Sequence, residues 1–174
     1  MGKIKNPRPE KLICGFIYKD ERDLKEAKNI LAKKYNTIDY ESPVLDFRYT
    51  DYYNHEMGKG LKRSFISFEK PVQPGELADI KVFTNSVEEK FYYPHSKKRK
   101  VNIDPGLISM AKLVLASTKD FYHRIYIGRG IYAEVTLKYR GKNFEPFEWT
   151  FPDYASDEYK EILLKIRQIH AKQV

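Results

Sequence analysis

The sequence predicts an α+β fold: a ferredoxin-like βαββαβ sandwich over residues 11–104, then an antiparallel strand meander and a C-terminal helix over 105–174. Three observations predict it. Short apolar strand patterns alternate with two amphipathic helical patterns in the first half, four strand patterns follow one another in the second half, and a helical stripe closes the chain. Because no Pro-, Gly- or Ser-rich linker separates the halves, 11–174 is predicted to be a single domain behind a basic tail at 1–10.

The first half is predicted element by element from its apolar patterns. Its opening run is typical of a central strand, Asp20 is predicted to cap the first helix, and Pro74 to open the second. The tripeptide DPG at 104–106 predicts a turn that ends the fourth strand. In chain order, the predicted elements are a strand at 11–18, a helix at 21–35, extended pieces over 37–50 interrupted at Pro43, a strand at 62–69, a helix at 76–91 and a strand at 99–104.

The second half has the pattern of strands joined by short turns. Glycine-containing turns at 128–130 and 140–143 separate the strand patterns. Between them, apolar and polar side chains alternate over 131–139, which predicts one buried and one polar face. The predicted elements are strands at 111–117, 123–128, 131–139 and 144–151, then a helix from about Ser156.

Composition excludes several classes of protein. The 174 residues are 41% hydrophobic and 32% charged, as in ordinary globular domains, and no apolar run approaches the roughly 18–20 residues of a membrane span. A single cysteine, Cys14, rules out an intramolecular disulfide and zinc sites built on cysteine pairs, and its place in an apolar strand predicts a core residue. Because no secretory signal pattern is present, we expect a cytoplasmic protein with no membrane partner.

Positive charge and aromatic side chains occur together. The net charge of +8 is concentrated at residues 1–12 and in the run KKRK at 97–100. Aromatic residues cluster at 47–53 and at 91–93, next to that run. Cations beside aromatic faces suit nucleic acids, whose phosphates pair and whose bases stack. Solvated loops and ordinary tyrosine packing are the alternative explanations.

Common catalytic motifs are absent. The segment GKGLKRS at 58–64 lacks the spacing of a phosphate loop and precedes a strand, so it is interpreted as a basic turn. No G-x-G-x-x-G, G-x-S-x-G or H-E-x-x-H pattern occurs, and no two of the four histidines lie three or four positions apart. A preformed histidine-rich metal site is therefore not predicted.

Polar side chains on the second helix and the fourth strand are candidates for a site. Lys81, Asn85 and Glu88 share one helical stripe away from the apolar face. Asn102 and Asp104 lie on one side of a short strand. A solvated helix face and turn capping by Asp104 are the alternatives for these two groups.

A third group lies on the hairpin predicted at 123–139. A two-residue turn there makes Arg124 and Glu134 near neighbours across the ladder, on the non-core face, beside an exposed His123. Such a group suits acid–base work or phosphate binding, with a cross-strand ion pair as the alternative. Asp153, which precedes the last helix, is predicted either to cap that helix or to face a ligand.

Several of these stretches carry a family resemblance. They are YNHEMG (53–58), TNSVE (84–88), NIDPG (102–106), HRIY (123–126), GIYAE (130–134) and WTFPDY (149–154). Together they resemble a family of uncharacterised bacterial and archaeal proteins known as domain of unknown function 4416, over about residues 11 to 167. The resemblance implies no particular activity, but the family's recurrent polar residues coincide with the candidates above.

The first functional hypothesis is binding of a phosphate-bearing ligand, a nucleotide or RNA. In it, cations contact phosphate and aromatic residues stack the base. Its candidate ligand-binding residues are Tyr53, Arg63, Lys81, Asn85, Glu88, Arg99, Asn102, Lys119, Arg124 and Asp153.

The alternatives are a metal-dependent enzyme acting on phosphoesters or nucleotides, and a structural interaction module. For the enzyme, His123, Glu134 and Asp104 are the catalytic candidates, and Mg²⁺ is the candidate cofactor. Its carboxylate ligands would be Glu56, Glu88, Asp104 and Glu134. Under the first two hypotheses we expect one concave surface to be shared by Glu88, Asn102, Asp104, His123, Arg124 and Glu134.

Overall fold

The structure of the protein, a computed structural model, describes residues 2–174. These residues form nine strands: β1 (Lys11–Tyr18), β2 (Ile38–Glu41), β3 (Leu45–Asp46), β4 (Lys62–Phe68), β5 (Val101–Ile108), β6 (Lys112–Ser117), β7 (Ile125–Gly128), β8 (Ile131–Arg140) and β9 (Asn143–Pro146). The same part of the chain forms four helices: α1 (Glu21–Tyr35), α2 (Asn54–Met57), α3 (Leu77–Glu89), which follows a 3₁₀ turn at Pro74–Glu76, and α4 (Asp157–Ala171).

All the described strands join one sheet. Its order is β2-β4-β1-β5-β6-β8-β7, with β3 beside β4 and β9 beside β8, and the paired strands are antiparallel. The fold is therefore a mixed α/β fold with an antiparallel sheet and a C-terminal helix. Both halves of the chain contribute to the same sheet, because β5 from the first half pairs with β6 from the second.

The two faces of the sheet are covered by different helices. Leu12, Cys14 and Phe16 of β1 pack in the core cluster that contains the apolar stripes of α1 and α3. Ile13, on the opposite face, packs with the buried side chains of α4. The first two long helices therefore pack on the same face of the sheet, each through a single apolar stripe.

Side-chain caps fix where the long helices begin. The Asp20 carboxylate accepts a hydrogen bond from the backbone N–H of Arg22 at 2.8 Å, and α1 begins and ends at the predicted residues. The Ser156 hydroxyl accepts from the backbone N–H of Tyr159 at 3.3 Å, at the start of α4. Each cap satisfies a backbone donor that has no partner inside the helix.

The predicted turn at 104–106 is wrong. Strand β5 continues through Asp104, Pro105 and Gly106 to Ile108 and pairs with β1 over its whole length. Pairing with β6 starts only at Gly106, so Pro105 lies where β5 has a single neighbour and a residue without an N–H is tolerated.

The predicted meander is confirmed for the pairs β7–β8 and β8–β9 but is wrong for β6, which pairs with β8 rather than with β7. Strand β8 has ten residues with several buried side chains, whereas β7 is short and exposed. The strand with more buried side chains takes the interior position and β7 takes the edge, which buries more apolar surface. Strand β9 is shorter than predicted and ends at Pro146.

The clean alternation predicted for 131–139 is broken by a bulge. Leu113 pairs with Leu137 and Val114 with Val135, so Thr136 is an extra residue in β8. As a result Ile131 contacts the α1/α3 core, whereas Leu137 packs on the α4 side.

Strands β5 and β6 separate along half of their length. They pair only from Gly106 to Ile108, where a Cβ on Gly106 would lie 2.7 Å from the Val114 carbonyl oxygen. Glycine is therefore required where the two backbones meet. On the other side of Gly106 the two strands diverge, and β6 continues along β8.

Candidate functional site

A cleft of about 540 Å³ lies where β5 and β6 separate; we call it the β5–β6 cleft. It lies on the α4 side of the sheet and is bounded by the loop at 47–53, by the segment 115–119 and by residues 151–154. Its volume is within the usual range for small-molecule sites. Among the described residues, five cationic and three acidic side chains line it: Arg63, Lys81, Arg99, Lys119, Arg124, Asp104, Glu134 and Asp153.

Arg63 is fully buried at the base of the cleft. Its guanidinium donates from Nη1 to Asp104 Oδ2 at 3.0 Å and from Nη2 to the Tyr154 hydroxyl at 2.6 Å. The guanidinium carbon lies 4.8 Å from the Phe65 ring centroid. A Cβ on Gly15 would lie 2.7 Å from Nη2, so the glycine in β1 makes room for this cation.

Asp104 is held as an anion by the groups around it. Its Oδ1 accepts from Asn102 Nδ2 at 3.0 Å, and its Oδ2 accepts from Arg63. Burial raises the pKa of Asp104, but Arg63 and Lys81 outweigh burial, so the pKa lies below its ordinary value. Each oxygen of the Asp104 carboxylate thus accepts a hydrogen bond from a protein side chain.

Lys81 reaches the cleft from α3, on the other side of the sheet. Its side chain is 6% exposed, and its ammonium donates to the Ile103 carbonyl oxygen at 2.9 Å. That carbonyl is accessible because β5 lacks a second neighbour there. Within residues 2–174 the Lys81 ammonium forms no salt bridge.

Arg99 is held in a closed corner of the cleft. It donates from Nε and Nη2 to Glu56 at 2.7 and 2.9 Å, and from Nη1 to Glu88 at 3.0 Å and to Asn102 at 2.7 Å. Glu88 also accepts from the Ile103 backbone N–H at 2.6 Å. Hydrogen bonds from Arg99 lower the pKa of Glu56, whereas burial raises the pKa of Glu88.

Glu134 is held by three donors on the far wall. Its Oε2 accepts from Arg124 Nε at 2.7 Å and lies 2.9 Å from His123 Nε2, and its Oε1 accepts from the Thr136 hydroxyl at 3.3 Å. The predicted cross-strand neighbours are thus in contact. The expected exposed His123 is wrong, because its ring stacks on Trp149 with centroids 5.2 Å apart, and Glu134 is only 3% exposed.

Asp153 and Tyr53 present unengaged polar atoms to the cleft. Asp153 is 8% exposed, and its Oδ1 accepts from the Tyr154 backbone N–H at 2.9 Å. In the part of the chain that the structure describes, its Oδ2 and the Tyr53 hydroxyl form no hydrogen bond, and neither atom is sealed from the cleft. Burial raises the pKa of both groups.

Aromatic side chains form the rim of the cleft. Tyr49, Tyr52 and Phe151 line it and are at least one third exposed. The Lys119 ammonium lies 4.7 Å from the Tyr52 ring centroid and donates to its hydroxyl at 2.8 Å. The rim therefore combines ring faces with an exposed cation.

The structure brings most of the predicted site residues together. The cleft is lined by Tyr53, Arg63, Lys81, Arg99, Asn102, Asp104, Lys119, Arg124, Glu134 and Asp153. Three further candidates do not line the cleft but hydrogen-bond to residues that do: Glu56, Glu88 and His123. The concave surface that six residues were predicted to share therefore includes four of them, Asn102, Asp104, Arg124 and Glu134, but not Glu88 or His123. Asn85 does not line the cleft. The alternative interpretation of this helical stripe as a solvated face is wrong for Lys81 and Glu88, which are buried against β5.

The four predicted metal ligands do not gather around one point. Glu56, Glu88, Asp104 and Glu134 each contact an arginine instead: Arg99 for the first two, then Arg63 and Arg124. Within residues 2–174, no group of three or more His, Cys, Asp or Glu side chains is arranged to hold a metal ion. The carboxylates are neutralised by guanidinium groups, which a sequence pattern does not reveal.

The basic run at 97–100 is not a uniform solvated patch. Arg99 is half-buried in the closed corner, and the Lys100 ammonium lies 5.4 Å from the Tyr93 ring centroid. Lys97 and Lys98 remain exposed. No helix formed by residues 2–174 has the length and hydropathy needed to cross a membrane.

Sequence patterns missed two contributions to the site. Gly15 makes room for Arg63, and a glycine inside an apolar strand is the signal that points to such a close approach. Ser117, which accepts from Arg124 Nη1 at 3.1 Å, lies at the end of β6 with no distinguishing pattern.

Comparisons with known proteins identify a family. A family described as "Domain of unknown function (DUF4416)" matches residues 8–170, nearly the whole chain. No curated protein and no solved structure matches the chain.

Proposed function

We propose that this chain, which belongs to the DUF4416 family, binds a small phosphate-bearing ligand of the nucleotide class in the β5–β6 cleft. The environment of the Lys81 ammonium is the observation that supports this proposal most directly. Its buried ammonium lines the cleft and contacts only a carbonyl oxygen among the described residues. The carboxylates of Asp104 and Glu88 are near enough to act on this ammonium electrostatically, but neither forms a salt bridge with it. A buried cation is stabilised by direct pairing with an anion, and an anionic ligand would supply such a partner.

The charge balance of the lining supports the same conclusion. Arg63, Arg99 and Arg124 each form a salt bridge with a carboxylate. Among the described lining residues, two cations form no salt bridge, Lys81 and Lys119, against one such carboxylate, Asp153. Arg124 uses Nε and Nη1 on protein acceptors, so its Nη2 remains for a ligand. Oriented cations in a partly enclosed site favour phosphate oxygens.

A nucleotide suits the cleft better than an RNA strand. The volume of about 540 Å³ is that of a small-molecule site, and the aromatic rim at Tyr49, Tyr52 and Phe151 offers ring faces to a base. An extended strand would need a long basic groove, yet Arg99 of the basic run is engaged within the protein.

Isothermal titration calorimetry with adenosine monophosphate, adenosine and inorganic phosphate tests the proposal. We expect the monophosphate to bind and adenosine to bind at least roughly tenfold more weakly, since charged hydrogen bonds to the phosphate are missing. In Lys81→Met we expect the monophosphate to lose roughly tenfold or more in affinity. The free energy of unfolding of the ligand-free variant should change by less than about 1.5 kcal/mol, because the cost of burying the ammonium offsets its one hydrogen bond.

Lys25→Met is the matched control, since Lys25 is an exposed helical lysine far from the cleft lining. It should leave affinity unchanged. No binding by any phosphate compound, or equal binding of adenosine monophosphate by Lys81→Met and the wild type, would overturn the proposal.

Two finer descriptions accompany this proposal. For residues 11–104 we propose a ferredoxin-like half, supported by the strand order β2-β4-β1-β5 and by α1 and α3 on one face. We also propose a cytoplasmic location, supported by the single buried free cysteine, Cys14.

A further inference from the structure

The three acidic side chains that line the cleft differ in how they are engaged. Asp104 and Glu134 each use both oxygens on protein donors. Asp153 uses only Oδ1, on the backbone N–H of Tyr154. Although Asp153 is more than nine-tenths buried, its Oδ2 faces the cleft without a partner in the described chain. This acceptor is open to the cleft, so it is available to a donor from the ligand.

Tyr53 provides a second unengaged group near Asp153. Its hydroxyl forms no hydrogen bond within residues 2–174, and the charges of Asp104, Arg63 and Asp153 all reach it. A phenol both donates and accepts, whereas an ionised carboxylate only accepts. Together they suit a ligand group that can donate one hydrogen bond and accept another.

A hydroxyl meets these requirements better than phosphate or an ammonium. Phosphate would be repelled by the Asp153 carboxylate, so this side of the cleft must hold a different part of the ligand. An ammonium would be repelled by Arg63, whose positive charge reaches Asp153. A neutral hydroxyl is subject to neither repulsion.

Resting on the nucleotide-binding function above, we propose that the ligand is a ribonucleotide whose ribose hydroxyls are bound by Asp153 and Tyr53. Lys81 and Arg124 then hold the phosphate, and the rim at Tyr52 holds the base. Recognition of a ribose hydroxyl by a carboxylate is a general solution in nucleotide sites. The Asp153 carboxylate, oriented by the Tyr154 N–H, is placed to distinguish ribose from deoxyribose.

Calorimetric titration with adenosine monophosphate and its 2′-deoxy and 2′,3′-dideoxy analogues tests this assignment. For the wild type we expect affinity to fall roughly 10- to 100-fold from the ribose to the dideoxy compound, the usual range for hydrogen bonds to a charged group. In Asp153→Asn the three compounds should bind within about threefold of one another. Asp157→Asn is the matched control, because the Asp157 side chain is 93% exposed, and it should keep the wild-type discrimination.

A second variant, Tyr53→Phe, tests the ribose assignment by a substitution that should not affect the stability of the protein. Tyr53→Phe removes one hydroxyl that has no partner within the described chain, so its urea midpoint should match that of the wild type. Its ribose discrimination should fall by about two- to fivefold. A Tyr53→Phe variant with full discrimination would count against the pair, whatever happens to Asp153→Asn.

The outcomes separate this inference from the function on which it rests. Equal affinity of the wild type for all three nucleotides overturns the ribose assignment and leaves phosphate binding in place. Tighter binding of O-phosphoethanolamine than of adenosine monophosphate also overturns it, in favour of an ammonium. If no phosphate compound binds, both proposals fail.

Discussion

Two parts of the cleft wall contain similar residue types but differ in how many hydrogen bonds and ion pairs their side chains form within the protein. The closed wall consists of Arg99 with Glu56, Glu88 and Asn102, and of the Arg63–Asp104 pair. The open wall consists of Tyr53, Lys81 and Asp153, whose side chains together form two hydrogen bonds within residues 2–174. Both walls are charged and largely buried.

This difference indicates that the closed wall stabilises the fold, whereas the open wall is available to a ligand. In the closed wall each charge has a protein partner, so removal of one partner leaves the other buried and uncompensated. In the open wall the unsatisfied atoms face the cleft, so their loss removes little from the folded protein. We therefore expect closed-wall variants to change stability and open-wall variants to change binding.

The largest effect is expected for Arg63→Met in the closed wall. Asp104 and the Tyr154 hydroxyl both lose their donor, and an uncompensated buried charge costs about 3–5 kcal/mol. Urea denaturation at pH 7 measures the free energy of unfolding. Arg22→Met, at a side chain 91% exposed, should leave the free energy of unfolding close to that of the wild type. A loss below about 1 kcal/mol for Arg63→Met would show that the closed wall does not support the fold.

A moderate, pH-dependent effect is expected for Glu56→Gln. Hydrogen bonds from Arg99 lower the pKa of Glu56 below 4.5, so its contribution to stability is present above pH 4.5 and is lost as pH falls through the lowered pKa. At pH 7 the variant should lose about 1 kcal/mol. Below pH 4.5 the difference from the wild type should shrink, whereas Glu161→Gln, at an exposed residue of α4, should match the wild type throughout. A difference that does not change with pH would contradict this account.

The smallest effect is expected for the double variant Lys97→Ala, Lys98→Ala. Both lysines are exposed, outside the cleft lining and without salt bridges in the described chain. Stability should stay within about 0.5 kcal/mol of the wild type, and affinity for adenosine monophosphate should change less than about twofold. A tenfold loss of affinity would place the phosphate at this loop and would remove the distinction between the two walls.

Much of the fold is predictable because its signals are local. The apolar patterns, the cap at Asp20 and the helix start at Pro74 place β1, α1 and α3 within a few residues. The position of β8 between β6 and β7, and the passage of β5 through Pro105, depend on which strands bury each other. Such pairings are non-local and cannot be recognised from the pattern of either strand alone.

The sequence predicts which residues form the candidate site, but not which of them form ion pairs with one another. Glu134, Asp104 and Arg124 are recognisable as polar groups on apolar strands, and they do line one cleft. The ion-pair partners of the site residues could not be predicted, because they are distant in sequence. The partners of Arg99, for example, lie 43 and 11 positions away at Glu56 and Glu88. Burial of Lys81 likewise depends on the gap between β5 and β6, which only the sheet topology shows.

A crystal structure of the wild-type protein with adenosine monophosphate tests the central claim most directly, because it locates the phosphate. We predict the phosphate within hydrogen-bond distance of the Lys81 ammonium in the β5–β6 cleft, with the Arg99 corner unchanged from its present contacts. A nucleotide bound on the Lys97–Lys98 loop, or a phosphate that displaces Glu56 from Arg99 and leaves Lys81 without an anion, would contradict the division of the cleft into a closed and an open wall.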